Sequence, residues 1–320
     1  MTNNNHPPQK RSSDKPGCDS KSCSGCGLKS GCSMADSSSE SNKTVGEGFF
    51  VTEQTSIART IVVLSGKGGV GKSTVAVNLA SSLASQGLRV GLLDIDLHGP
   101  SIPTMMKLQQ TSVQSIDNRL MPAERGGIKV MSVGLLLKKK DDALIWRGPM
   151  KAGVIEQLLH EVAWGTLDYL VVDSPPGTGD EPLSICQTIK TPFAAVIVTT
   201  PQEVAAADVR KSISFCRQLK INILGIIENM SGFICPDCEK EYPIFGSGGG
   251  AKISQEFNLN YLGNIPIDPN IGTCSDSGHM FVYDYGKTPT GKAFARILDQ
   301  VLKIAEEQIP TQQVPGPAAE

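Results

Sequence analysis

Thr60-Ile61-Val62-Val63-Leu64-Ser65-Gly66-Lys67-Gly68-Gly69-Val70-Gly71-Lys72-Ser73 is the stretch on which the fold turns. The run 60–65 is β-branched and apolar on both alternating sides, as in a strand buried on both faces. Residues 66–73 then read G-x-x-x-x-G-K-S. A helix follows Gly71, with Val75, Leu79 and Leu83 on one side and Gly87 as its C-terminal stop. Strand, glycine loop and helix in this order form a phosphate cradle. The glycines let backbone N–H groups turn inward, and the helix N-terminus adds a positive dipole. Lys72 is placed for the β- and γ-phosphates and Ser73 Oγ for Mg2+. Gly66, Lys67, Gly68, Gly69, Val70, Gly71, Lys72, Ser73 and Thr74 are therefore expected to bind a nucleotide.

Working outward, six more β-branched runs occur at 89–93, 128–133, 168–172, 194–199, 222–227 and 261–265. Amphipathic segments separate them, and helices are expected near 150–163, 181–190, 202–218 and 288–306. About seven strands alternating with helices predict an α/β fold of the P-loop NTPase kind, a mostly parallel sheet covered on both faces. Residues 1–58 are polar and rich in Ser, Asn, Lys and Gly, too poor in apolar surface to offset ordering entropy. They read as a flexible, cysteine-bearing extension, with the NTPase domain over 59–310 and a disordered tail over 311–320.

The 320 residues carry 30 basic against 32 acidic side chains, a net charge of -2. So balanced a chain has no general attraction for nucleic acid or anionic lipid. No export signal and no membrane-length apolar run is present, so a cytoplasmic protein is expected. Lys138-Lys139-Lys140 followed by Asp141-Asp142 reads as a solvated turn. Trp146 and Trp164 read as core or interface anchors.

Two acidic strand ends complete the phosphate site. Leu93-Asp94-Ile95-Asp96 closes the second strand, where a doubly wound sheet puts its crevice. Asp94 would lie near the metal, and Asp96 is placed to polarise an attacking water. Tyr169-Leu170-Val171-Val172-Asp173 is an apolar strand ending in one carboxylate, suited to holding Mg2+. Glu228-Asn229-Met230 ends another strand, and the Asn229 amide offers the donor and acceptor that an adenine edge requires. No Asn/Thr-Lys-x-Asp guanine signature appears, which favours ATP.

Six of the nine cysteines fall in two clusters. Cys235 and Cys238 form a C-x-x-C pair, too few thiolates for a tetrahedral site in one chain but enough if a twofold axis supplies a second pair. An iron-sulfur cluster, zinc and a redox pair are all open readings of that spacing. Cys18, Cys23, Cys26 and Cys32 follow C-x4-C-x2-C-x5-C, enough for a whole four-iron cluster or for zinc. Cys186, Cys216 and Cys274 stand alone, and Cys216 shares a helical stripe with Val209, Ile213 and Leu219, so all three read as structural.

Lys67, a second lysine within the loop, resembles the deviant Walker A class of ATPases, the MinD/ParA-like group that includes division-site regulators and nitrogenase iron proteins. That resemblance implies a homodimer in which Lys67 reaches the partner's phosphates, with Asp96 as the catalytic carboxylate beside Lys67 and Lys72. Leu93 to Ser101, Asp173 to Asp180 and Cys235-Pro236-Asp237-Cys238 follow in the order of the Mrp/ApbC iron-sulfur carrier family over about 59–300. This similarity implies adenine recognition by Asn229, Mg2+ at Ser73, Asp94 and Asp173, and a 4Fe-4S cluster assembled for apo-proteins. The loop Pro266 to Pro269 sits where this class packs against the purine. The N-terminal cysteines resemble the extension of the eukaryotic cytosolic scaffold branch, except that Cys18 lies much closer to the others than its counterpart there. A MinD/ParA-like positioning ATPase and a zinc-binding P-loop ATPase are the rival expectations.

Overall fold

The computed structural model describes residues 55–136, 148–235, 238 and 240–312. Cys18, Cys23, Cys26 and Cys32, the run Lys138 to Asp142, Trp146, and the tail beyond residue 312 lie outside the described residues. In chain order come β1 (Ser56–Ser65), α1 (Lys72–Ser85), β2 (Val90–Asp94), α2 (Ile102–Met105), β3 (Ser115–Ile116), β4 (Arg119–Leu120), β5 (Ala123–Arg125), β6 (Ile128–Ser132), α3 (Val133–Leu136), α4 (Gly148–His160) and β7 (Thr166–Asp173). There follow α5 (Asp180–Thr188), β8 (Phe193–Thr199), α6 (Glu203–Gln218), β9 (Ile223–Ile234), β10 (Glu241–Tyr242), α7 (Gly249–Phe257), β11 (Tyr261–Ile267), α8 (Pro269–Ser277), α9 (Phe281–Asp284) and α10 (Pro289–Gln308).

The strands anticipated from sequence form the parallel body of the sheet, in the order β11-β9-β8-β1-β7-β2-β6. Short antiparallel strands extend it, β5 on β6 and β10 on the end of β9. Strand order reverses around β1, with β2 and β6 to one side and β8, β9 and β11 to the other. Loops leaving β1, β2 and β7 therefore converge on the crevice at the carboxyl ends, where such sheets hold ligands.

Both alternating sets of strand side chains are buried. Ile61, Val63, Leu92 and Val171 belong to the core on one face. Val62, Leu64, Leu93 and Val172 belong to the core on the other. Each contributes about 1.5–3 kcal/mol, which holds the strand ends, and the charged residues they carry, in fixed register. Helix α1 is buried beyond its expected stripe: Val77, Asn78, Ala80 and Ser82 are also covered, because α9 and α10 pack over it. Helix α7 had no sequence signal, since the glycines that open it read as loop.

Candidate functional site

β1 stops at Ser65, and Lys72 is the first residue of α1, so the loop 66–71 wraps the helix N-terminus. Lys67, Gly68, Gly69, Gly71, Lys72, Ser73, Thr74 and Asp96 line one cavity of about 300 Å3. Val70 is buried behind it, and Gly66 backs onto Asp208 of α6. Gly71 has φ 80°, and a Cβ there would stand 2.2 Å from Asn229 Nδ2, so only glycine serves.

The acidic residues meet because of strand register. Asp94 on β2 lies beside Asp173 on β7, and Asp173 lies beside Val63 on β1. Both carboxylates are fully buried. Lys72 Nζ donates to Asp173 Oδ1 at 2.5 Å and stands 4.0 Å from Asp96 Oδ2. Asp94 accepts the Ser132 hydroxyl at 2.8 Å and the Asp96 N–H at 3.1 Å. Burial first, and then the neighbouring Asp173 charge, push Asp94 up to about 8. Burial also raises Asp173, against the opposing pull of Lys72. Two buried carboxylates, Asp94 and Asp173, thus stand side by side with Lys72 bonded to one of them, an arrangement that favours additional positive charge. Asp173 Oδ2 is buried with no hydrogen-bond partner. That orphaned oxygen, with Ser73 nearby as a hydrogen-bond partner of the same carboxyl group, fits a divalent cation of the hard, oxygen-ligated kind.

Asp96 is set differently. Its Oδ1 accepts the N–H groups of His98 and Gly99 at 3.2 and 3.3 Å, fixing the turn after β2. The His98 ring lies 2.9 Å from Glu181 Oε1, and Lys151 Nζ donates to the same oxygen at 2.5 Å. His98 thus ties the turn after β2 to α5. The Glu181 and Lys151 partners, from α5 and α4, carry no motif of their own and were missed in the sequence.

Asn229 is buried at the back of the loop, donating from Nδ2 to the Val70 carbonyl at 2.9 Å. Its neighbour Glu228 is fully buried and accepts the Gly248 N–H, the Gly250 N–H and the Ser231 hydroxyl. Nothing in the sequence singled out Glu228; a charge directly after the apolar run 222–227, within what proves to be β9, was the available signal. The stretch Pro266 to Pro269, expected to be a loop, instead ends β11 and begins α8, with only Asp268 between them as the helix cap.

Beyond Asn229, β9 continues to Ile234 and places half-buried Cys235 and exposed Cys238 at the end of a hairpin closed by β10. The Cys235 N–H donates to the Lys240 carbonyl at 3.0 Å. Among the described residues no group of three or more His, Cys, Asp or Glu side chains could hold a metal ion. Cys186, Cys216 and Cys274 are buried, and burial pushes the Cys186 and Cys216 thiols up to about 12. Trp164 is fully buried in the core.

The sequence pattern of the family described as ParA: NUBPL iron-transfer P-loop NTPase matches residues 56–302. The chain is 44% identical over 251 residues to a chicken protein named cytosolic Fe-S cluster assembly factor NUBP2, covering 77% of this chain and 92% of that one. It is 46% identical over 247 residues to a protein of Saccharolobus solfataricus named iron-sulfur cluster carrier protein, covering 77% and 83% of the two chains. A solved structure of a nucleotide-binding protein from Archaeoglobus fulgidus in complex with ADP is 44% identical, with a TM-score of 0.64 over 73% of this chain and 90% of that one.

Proposed function

Because the chain belongs to the NUBPL iron-transfer P-loop NTPases of the ParA group, we propose that it is a cytoplasmic ATPase that carries 4Fe-4S clusters to apo-proteins as a homodimer. One observation carries the reading. Strand β9 touches the phosphate loop through Asn229 and, a few residues on, delivers Cys235 and Cys238 to the surface. The names of the chicken and archaeal relatives support the cluster as cargo.

In this reading the backbone N–H groups of 66–71 and the α1 dipole bind the ATP phosphates. Lys72 turns from Asp173 toward the β- and γ-phosphates, and Asn229 steadies the loop and serves the adenine end. Ser73 and Asp173, with Asp94 beside them, would hold Mg2+, which would supply positive charge against the phosphates. Asp96 orients a water and takes its proton as the oxygen attacks the γ-phosphorus and ADP leaves. Lys67 of the partner subunit offsets the charge that builds on the leaving oxygen. Two copies bring four thiolates together, so the cluster sits on the twofold axis between the paired Cys235 and Cys238. Cys18, Cys23, Cys26 and Cys32 hold a second cluster within each chain.

Anaerobic purification, followed by iron, sulfide and zinc analysis and transfer to an apo four-iron protein, tests the reading. Wild type is expected to contain iron and sulfide in equal amounts and to transfer them. Cys235→Ala should lose the shared cluster, and Cys23→Ala with Cys26→Ala the other. A zinc-only protein with no transferable iron overturns the proposal.

A further inference from the structure

Both ends of the cysteine-bearing segment are tied to one buried carboxylate. Glu228 sits on β9 where the segment leaves the sheet, and its Oε1 and Oε2 accept the N–H groups of Gly248 and Gly250 where the segment returns. These bonds span 20 and 22 residues and close a loop with Cys235 and Cys238 near its far end. The Ser231 hydroxyl donates to the same carboxylate. Behind the return point, Gly249 lies flat on Pro201, where a Cβ would come within 2.4 Å of the Pro201 carbonyl oxygen. The return end is therefore wedged as well as bonded.

The strand alone is a poor lever. Between Asn229 and Ile234 it is kinked by positive φ at Met230 (57°) and Gly232 (73°), and its pairing with β11 shifts register between Ile265 and Ile267. A displacement of Asn229 would be absorbed at those kinks unless the other arm of the segment moved with it. Glu228 supplies that second attachment. It adjoins Asn229, whose amide holds the Val70 carbonyl, so phosphate loop, strand and glycine return share one two-residue joint.

We infer that Glu228 is the positioning residue through which occupancy of the phosphate loop is felt at Cys235 and Cys238. The inference rests on the proposed carriage of a cluster at those cysteines. Glutamine at 228 keeps the size of the side chain but presents an NH2 group to one of the N–H donors, which loses its acceptor.

The experiment uses full-length dimer, reconstituted anaerobically, with release of the cluster to a chelator followed by visible absorbance, with and without Mg-ATPγS. Wild type is expected to show a nucleotide-dependent change in release rate of about tenfold. Glu228→Gln should bind ATPγS within about twofold of wild type and hold equal iron, yet lose most of that dependence. Ser231→Ala, which leaves the carboxylate and both N–H groups, should keep it. A Glu228→Gln protein with the full nucleotide response overturns the inference. Hydrogen exchange on wild type supplies an arm that needs neither the variant nor a cluster. Mg-ATPγS should slow exchange over 241–250, and an unchanged segment overturns the inference. A wild type that takes up no iron, but whose 241–250 exchange responds to nucleotide, would sink the carrier reading and leave the joint standing.

Discussion

At the phosphate loop Lys72 is 6% exposed and Asp94 and Asp173 not at all, whereas past the end of β9 Cys238 lies open to solvent on a two-stranded hairpin. The first region is built by the sheet itself: strand register sets Asp94 against Asp173, and packing on both faces forbids either from moving. The second is an appendage, tied back by Glu228 but contributing little to the core. A group that must meet phosphate with fixed geometry belongs where reorganisation is costly. Thiolates that must accept and release cargo belong where a second subunit or a recipient can reach them.

Mutations should separate the two regions by what they damage. Lys72→Ala should be the most severe, abolishing ATP hydrolysis and leaving two buried carboxylates without a counter-charge. It should cost about 3 kcal/mol of folding free energy near pH 8, and less near pH 5, where a carboxyl raised by burial takes up a proton. Urea titrations at the two pH values check this, and equal losses would show that the crevice is wet. Gly71→Ala should follow, at about 1–3 kcal/mol from the φ of 80° and the collision with Asn229, together with weakened nucleotide binding.

Asp168 offers a smaller, pH-dependent contrast on the scaffold away from both sites. Its bonds to Arg89 hold its carboxyl below the usual range of 3.8. A depressed carboxylate adds stability above its unfolded value, and that contribution disappears as pH falls through the folded value. Asp168→Asn should therefore cost about 0.5–1 kcal/mol at pH 7, after allowance for partial exposure, and progressively less as the pH is lowered below 3.8. Thermal melts across that interval would reveal it. Cys238→Ser should change folding least, within about 0.5 kcal/mol, while removing the shared cluster. A large drop in melting temperature for the metal-free Cys238→Ser protein would erase the distinction between the two regions.

Much of the phosphate end was legible because its chemistry is local. Gly66 to Ser73 is contiguous, and each apolar strand announces the carboxylate that ends it. Glu181, Lys151 and Glu228 were not legible, because each acts through partners far away in sequence: His98 for the first two, Gly248 and Gly250 for the third. Helix α7 escaped for a related reason. Local propensity reads Gly248-Gly249-Gly250 as loop, and it is the contacts of this segment with Pro201 and Glu228 that organise the helix start.

By itself the sequence determined the α/β fold, the phosphate loop and the pair of thiols, since each is written in short-range order: alternation of apolar residues, glycine spacing, C-x-x-C. Only the tertiary structure decided that Asp173 and Asp96 share Lys72 with Asp94 buried alongside, that Asn229 braces the loop, and that Glu228 closes the cysteine segment. Those relations depend on which strands lie side by side and in what register, and burial fixes register through the whole sheet at once rather than residue by residue.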